Sequence, residues 1–267
     1  MKTLSRIYNG LIFLFLYAPI VVLIVFSFND SRSRVVWNGF SLRWYETLFR
    51  DKEILSALWV TLSVAVLSMI AATLIGTAAA VGIHGMSGKL KKTALFVNNI
   101  PMVNPEIVSA VALMLLFAFL NSRFGILSRG YVTLLLSHIT FCIPYVVLQV
   151  LPKLRQMNPH LYEAAQDLGC RPLAAFFKVL LPEIMPGVLT GALMAFTISL
   201  DDFVISLFTS GPSAQNLSVA IYSMVKRRVT PEINALSTLM FGAVLILLVL
   251  VNIGQIRDLA KRKMAHR

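Results

Sequence analysis

Charged residues are scarce in this sequence. Asp, Glu, Lys and Arg together make up 13% of its 267 residues, whereas 57% are hydrophobic and the mean hydropathy is +0.78. A soluble domain of this length cannot bury so much apolar surface, so an ordinary soluble globular protein is excluded. The apolar surface must instead face lipid, and the composition indicates an integral membrane protein.

Cysteine and histidine are also rare, and neither forms a recognisable site. Cys142 and Cys170 make no C-x-x-C pair, and the four histidines are scattered, so neither a disulfide framework nor a zinc site is indicated. The sequence also lacks a G-x-x-x-x-G-K-[ST] run, the phosphate-binding loop of many ATPases. We therefore expect no metal or cofactor on this chain, and we do not expect it to be an enzyme.

Long apolar runs are abundant. A membrane-spanning helix needs about 20 mostly apolar residues, and lipid offers no partners for unpaired backbone groups, so each run is predicted to be helical. The first run follows Lys2 and Arg6 and is longer than a signal-peptide core, which predicts an uncleaved span. The sequence predicts an all-α integral membrane protein, one domain over residues 1–267, with about six transmembrane helices. These are predicted near residues 7–28, 56–82, 94–120, 131–151, 184–208 and 235–255.

Proline and glycine mark special points within these spans. Pro101 and Pro105 predict that the third span begins with a broken or kinked turn, because proline cannot donate a helical hydrogen bond. Gly76, Gly187 and Gly191 lie among small residues, which let neighbouring helices approach closely. We expect tight helix packing at these three glycines.

The basic residues predict the orientation of the chain. With the N-terminus in the cytoplasm, more of the 24 Lys and Arg residues lie inside than outside, as membrane proteins usually show. We therefore attribute the formal charge of +12 to topology and not to nucleic acid. Both termini are predicted to be cytoplasmic in a multi-pass protein of the cell (inner) membrane. The aromatic external segment near 29–55 favours a helix at headgroup level or a docking surface.

The segment between the fourth and fifth spans, residues 152–183, is predicted to fold. Pro159 followed by HLYEAAQDL predicts a short helix stopped by Gly169. Pro172 followed by LAAFFKVLL predicts a second helix that ends before Pro182. Such a hairpin should contact a partner protein, and an amphipathic hairpin lying on the membrane is the alternative.

The same loop resembles that of the permease subunits of ABC importers. In that family the loop carries Glu-Ala-Ala, three residues, Gly, nine residues, then Ile-x-Leu-Pro, and here valine replaces the isoleucine. The resemblance implies a type I ABC importer permease, in which this loop couples to a separate ATPase that binds ATP and Mg. The matching residues are Glu163, Ala164, Ala165, Gly169, Val179, Leu181 and Pro182.

Two adjacent acids lie within the fifth span, in FTISLDDFVISLF. Charges inside a membrane are expensive and are candidates for function. Adjacent helical residues point about 100° apart, so we expect Asp201 to face a pathway and Asp202 to be paired. Tyr222 and Lys226 are four residues apart and would share a helix face. Lys226 would then act as a reversible latch on an acid, or else be a solvated interface charge. Carboxylates with aromatic rings favour a cationic substrate.

Several stretches resemble the spermidine and putrescine permeases: SLDDFVIS, GPS, IYSMVK and PEINAL. The resemblance implies polyamine uptake by alternating access, with Asp201, Tyr222 and Lys226 in the substrate gate. It also implies a heterodimer with a second permease, two copies of an ABC ATPase and an extracytoplasmic substrate-binding protein. The alternatives are the same type of importer for thiamine, ferric iron or an aminophosphonate, and an ion-coupled secondary transporter that uses Asp201 and Asp202 as a relay.

Overall fold

A computed structural model of the chain describes residues 2–31, 36–158, 160–227, 231–246 and 249. The described residues are helical apart from turns, loops and one isolated bridge between Asn29 and Phe40. They belong to two compact units, 1–55 with 221–267 and 56–220, which are taken separately below. The helices are α1 Lys2–Ser27, α2 Arg43–Arg50, α3 Lys52–Gly85, α4 Gly88–Val103, α5 Glu106–Phe124, α6 Tyr131–Gln156, α7 His160–Asp167, α8 Pro172–Ala175, α9 Leu181–Asp201, α10 Val204–Thr209, α11 Leu217–Arg227 and α12 Pro231–Ile246.

Five of the described helical segments are long and apolar enough to cross a membrane, which confirms the predicted class of fold. The sixth predicted span, 235–255, is described only in part: α12 is apolar but shorter than a full span, and most residues beyond it lie outside the described ranges. The five long segments are Tyr8–Ser27, Lys52–Gly85, Glu106–Phe124, Tyr131–Gln156 and Pro172–Asp201.

The third predicted span, 94–120, is divided between two helices. α4 ends at Val103, Asn104 is extended, and α5 begins after Pro105. The ring of Pro105 disfavours a helical conformation for the preceding residue, which explains the break. The broken start was therefore predicted correctly, whereas the single span over 94–120 is wrong.

The fifth predicted span, 184–208, is also wrong as one continuous helix. α9 ends at Asp201, Asp202 is extended, and a separate short helix, α10, begins at Val204. The break has a local cause, because the Asp202 side chain accepts hydrogen bonds from the backbone N–H groups of the first turn of α10. Asp202 thus starts a new helix at a point where the hydrophobic pattern alone predicts continuation.

The hairpin between the fourth and fifth spans contains the predicted first helix, α7, but its second helix does not end before Pro182. α8 continues through a π turn, Phe176–Leu180, directly into α9. Pro182 lacks an N–H group and cannot make the usual helical bond, and the wider π turn accommodates it near the start of α9. Residues Pro172–Asp201 therefore form one continuous helical segment.

The core of the 56–220 unit lies where α6 packs along α9 and against the second half of α3. Val146, on α6, is fully buried there. A Cβ atom on Gly76 would lie 2.8 Å from the Val146 Cβ, and one on Gly187 would lie 2.8 Å from the carbonyl oxygen of Gln149. Only glycine permits these approaches, so the predicted close packing at Gly76, Gly187 and Gly191 is confirmed.

In the other unit, the segment after α1 is folded against the first turns of α2. The Trp44 indole Nε1–H donates to the carbonyl oxygen of Asn29 at 2.7 Å, and Trp44 is buried. Phe28 stacks on Phe40 at 5.3 Å between ring centroids and also contacts Tyr45. The aromatic residues between α1 and α2 and at the start of α2 thus form a small structured element of their own.

Candidate functional site

The hairpin turn is built by the glycine of the Glu-Ala-Ala motif. Gly169 has φ +86, a left-handed conformation that side chains other than glycine rarely adopt. The N–H of Cys170 donates to the carbonyl of Ala165, and the N–H of Gly169 donates to that of Gln166. This pair of bonds is a Schellman motif, which satisfies carbonyl groups at the end of α7. The spacing from Ala165 to Gly169 is therefore explained by helix termination.

One face of the hairpin packs on the spans and the other is open. Tyr162 and Phe176 pack against the core formed by α3, α6 and α9, and Ala165 and Ala175 are buried. On the open face, several apolar side chains are exposed, which is unusual for a segment between spans. Glu163 and Ala164 are exposed there too, beside Leu168 (87% exposed), Leu173 (75%) and Phe177 (61%).

A single helical segment joins this hairpin to the acidic residues. Pro172–Asp201 contains 30 residues and is about 45 Å long at 1.5 Å per residue. Leu181 is half-buried and Pro182 exposed near the hairpin end, and Asp201 is the last residue at the opposite end. Because the segment is continuous, a displacement of the hairpin would move the end of the helix at which Asp201 lies.

Beyond Asp201, the carboxylate of Asp202 is bound within the protein. Its side chain is 6% exposed, and it accepts hydrogen bonds from the Ile205 N–H (3.2 Å), the Ser206 N–H (2.8 Å) and the Ser206 hydroxyl (2.7 Å). His138 Nε2 lies 3.5 Å from the same carboxylate. Asn216 donates to the backbone carbonyl of Asp202 at 3.0 Å. Asp202 is the paired acid, as expected. It lies at the break between α9 and α10, and its partners on α10 follow the break.

Asp201 is placed differently. Its side chain is exposed, and within the described part of the 56–220 unit it makes no hydrogen bond or ion pair. Tyr222 and Lys226 lie on α11 in the other unit, both exposed and one helical turn apart on the same face. Their part in a gate with Asp201 stays a prediction.

The side chains that join Asp202 were not predicted from the sequence. His138 is 3% exposed and its Nδ1 lies 2.7 Å from the Ser199 hydroxyl, whereas its Nε2 lies 3.0 Å from the Ser206 hydroxyl. In the sequence His138 was one of four scattered histidines. The available signal was an Asp directly before a short apolar run, FVISLF, which is one of the sequence signs of a helix start.

Metal binding finds no support in the part of the chain that the structure describes, because no three His, Cys, Asp or Glu side chains lie together there as metal ligands do. The features that do stand out are long apolar spans, an exposed hairpin continuous with one span, and an exposed acid at the far end of that span. Together they define a membrane transport subunit driven from outside its own chain.

Comparison with known proteins agrees with this class. Residues 72–263 match the family described as "Binding-protein-dependent transport system inner membrane component", and the chain belongs to that family. It is a permease subunit of an ABC importer. The relatives are permeases rather than enzymes, and they match nearly the whole chain.

Two curated relatives come from Escherichia coli strain K12. The putrescine transport system permease protein PotI is 43% identical over 235 residues, which covers 87% of this chain and 83% of the relative. The spermidine/putrescine transport system permease protein PotC is 40% identical over 238 residues, covering 89% of this chain and 88% of the relative.

Solved structures agree on the fold. A bacterial ABC transporter that imports the acidic polysaccharide alginate has a TM-score of 0.73 at 14% identity, covering 94% of this chain and 95% of that one. The MetNI methionine ABC transporter in inward-facing conformations has a TM-score of 0.61 at 21% identity, covering 81% and 97%. At these identities the likeness shows the shared permease fold.

Proposed function

We propose that this chain imports polyamines, putrescine or spermidine, as one permease of an ATP-driven importer that works by alternating access. The observation that carries the proposal is the 43% identity to a putrescine permease over 87% of the chain. The chemistry of the site agrees, since a polyamine carries ammonium groups at neutral pH. An exposed carboxylate such as that of Asp201 attracts an ammonium group by about 4 kcal/mol at 4 Å and an effective dielectric constant of 20.

The expected partners are a second permease of the same family, two copies of an ABC ATPase and an extracytoplasmic substrate-binding protein. ATP and Mg would bind to the ATPase. The exposed apolar side chains Leu168, Leu173 and Phe177 support a protein contact at the hairpin. The family's dependence on a binding protein supports the external partner, as does a related alginate transporter that was solved in complex with a periplasmic protein.

The proposed orientation places both termini and the hairpin in the cytoplasm. The distribution of Lys and Arg supports it, and so does the need for the hairpin to meet an ATP-binding partner. Closure of the ATPase would move the hairpin, and the continuous segment Pro172–Asp201 would carry that movement to the acid. Substrate release would then follow from a change in the position of Asp201 and its surroundings.

Uptake by the reconstituted complex tests the proposal. Proteoliposomes containing this chain, its partner permease and the ATPase, with binding protein added, should accumulate radiolabelled putrescine only when ATP is present. Unlabelled spermidine should compete, whereas thiamine, ferric iron and an aminophosphonate should not. Competition by one of those three would assign a different cargo. Uptake without ATP that an uncoupler abolishes would instead identify an ion-coupled transporter.

The substitution Asp201→Asn tests the charge of the acid. A hydrogen bond to a charged group contributes about 1.5–3 kcal/mol, so initial uptake below KM should fall by about 10- to 100-fold. Co-purification with the other subunits should be unchanged. Glu53→Gln is the matched control, because it removes an exposed carboxylate that lies on α3 and not at the helix break after Asp201. Wild-type uptake by Asp201→Asn would show that its charge has no part in transport.

A further inference from the structure

The side chains around Asp202 form a buried chain of hydrogen bonds whose direction is fixed by counting donors. Ser206 donates its only hydroxyl hydrogen to Asp202. Its oxygen must therefore accept from its other two neighbours, the Asn216 amide at 2.7 Å and His138 Nε2 at 3.0 Å. The proton of a neutral His138 is thus assigned to Nε2.

The assignment continues on the other side of the ring. With its proton on Nε2, the His138 Nδ1 accepts from the Ser199 hydroxyl at 2.7 Å. Ser199 in turn accepts from the Ser68 hydroxyl at 2.9 Å. Ser68, His138 and Ser199 are each at most 3% exposed. The series therefore runs towards the carboxylate of Asp202, and α3, α9 and α6 are linked to it through the Ser206 hydroxyl.

This arrangement separates the roles of the two adjacent acids. The Asp202 carboxylate already receives three hydrogen bonds, and its backbone carbonyl is held by Asn216. The Asp202 side chain is only 6% exposed, so burial keeps an ammonium group away from it. Asp201 carries the exposed carboxylate, and it is the last residue of α9, so the helix break at Asp202 sets where Asp201 lies.

We propose that His138 and Asn216 are positioning residues for substrate recognition, which act through Asp202 to hold Asp201 in the orientation that binds a cationic substrate. This inference rests on the proposed function. The buried network fixes both the side chain and the carbonyl of Asp202, so it fixes the helix break and the end of α9. Substrate affinity then depends on residues that never touch the substrate.

A double-mutant cycle tests whether His138 acts through Asp201. In the reconstituted complex, His138→Gln should misplace Asp201, which would then lose one charge-assisted hydrogen bond to the substrate ammonium, so the KM for radiolabelled putrescine should rise about tenfold with little change in maximal rate. In an Asp201→Asn background the same substitution should raise KM no further, because the carboxylate that it orients is absent. A further tenfold rise in that background would overturn the proposal.

A second variant approaches the network from its other end. Asn216 accepts from the Val219 N–H at 3.0 Å as the cap of α11, and serine also caps helices well. Asn216→Ser should keep that cap while losing the amide that reaches Asp202 and Ser206, and it should raise KM as His138→Gln does. Cys142→Ala is the control: it lies one turn from His138, is buried and contacts Ala195, but is outside the network.

The outcomes separate this proposal from the proposed function. Putrescine uptake by the wild type, with unchanged KM in both His138→Gln and Asn216→Ser, would overturn the positioning role alone. Absence of putrescine uptake by the wild type would overturn the proposed function and this inference with it. Failure of both variants to co-purify with the partner subunits would show that the network holds the whole fold, which also contradicts a positioning role. Normal co-purification and basal ATPase activity with a raised KM are the expected result.

Discussion

Substitution of Gly169 offers a graded test of the link between the hairpin and its motor. The residue lies in the left-handed region at φ +86, and an added Cβ would meet no atom within 4 Å. Any penalty is therefore conformational and not a clash. Asparagine tolerates this conformation, alanine does so poorly, and valine is excluded most strongly by its branched Cβ. The series Gly169→Asn, Gly169→Ala and Gly169→Val should thus be increasingly harmful.

The magnitude follows from two ways of accommodating the new side chain. Keeping the turn costs about 1–2 kcal/mol of strain for a residue other than glycine. Opening the turn loses the Schellman bonds of Gly169 and Cys170, at about 0.5–1.5 kcal/mol each. The two costs are similar, so the population of the native hairpin relative to open forms should fall by a factor of about 5–30.

The assay is titration of purified ATPase onto proteoliposomes that contain each variant, with ATP-driven uptake measured in parallel. Apparent affinity for the ATPase and uptake should fall together, in the order Asn, Ala, Val. Gly82→Ala is the control, because it is a surface glycine with an ordinary φ and open space around its Cβ. If Gly169→Val binds the ATPase and transports as the Gly82→Ala control does, the hairpin is not the coupling element.

Two further predictions concern stability. Gly187→Ala would place a methyl group 2.8 Å from the Gln149 carbonyl oxygen and should destabilise the protein by about 1–3 kcal/mol, which lowers the thermal unfolding midpoint, whereas Gly82→Ala should not; equal midpoints would contradict the packing described. Trp44→Phe leaves the Asn29 backbone carbonyl without its indole donor, at about 1–3 kcal/mol, and should speed limited proteolysis of the segment between α1 and α2; unchanged cleavage would show that this bond does not hold the segment.

The features that the sequence predicted correctly depend on local chemistry. Apolar runs of sufficient length can only be spans in lipid, and Pro105 breaks a helix through its immediate neighbour. Gly169 ends α7 because one turn of helix and one left-handed residue complete the motif. In each case the cause lies within a few residues of its effect.

The features that were missed depend on contacts between distant segments or on unusual turns. The network at Asp202 joins residues from 68 to 216, and no spacing in the sequence brings His138 to Ser206. The break after Asp201 was missed because the apolar pattern continues through it while a side chain caps the next helix. The π turn before Pro182 was missed because proline ordinarily indicates a helix end.

That π turn also sets the rotational phase between the two ends of the helical segment. A π turn contains one residue more than the α turn it replaces, and each residue rotates a helix by about 100°. Deleting one residue from Phe176–Leu180 would therefore turn the hairpin by roughly a quarter of a revolution about the axis relative to Asp201. The hairpin packs on α3 and α6 as well as on α9, so this rotation would also move it relative to those helices, and its displacement would reach Asp201 from a different side. The number of residues in this segment thus sets the angle about the helix axis between the hairpin and Asp201 as well as the distance between them.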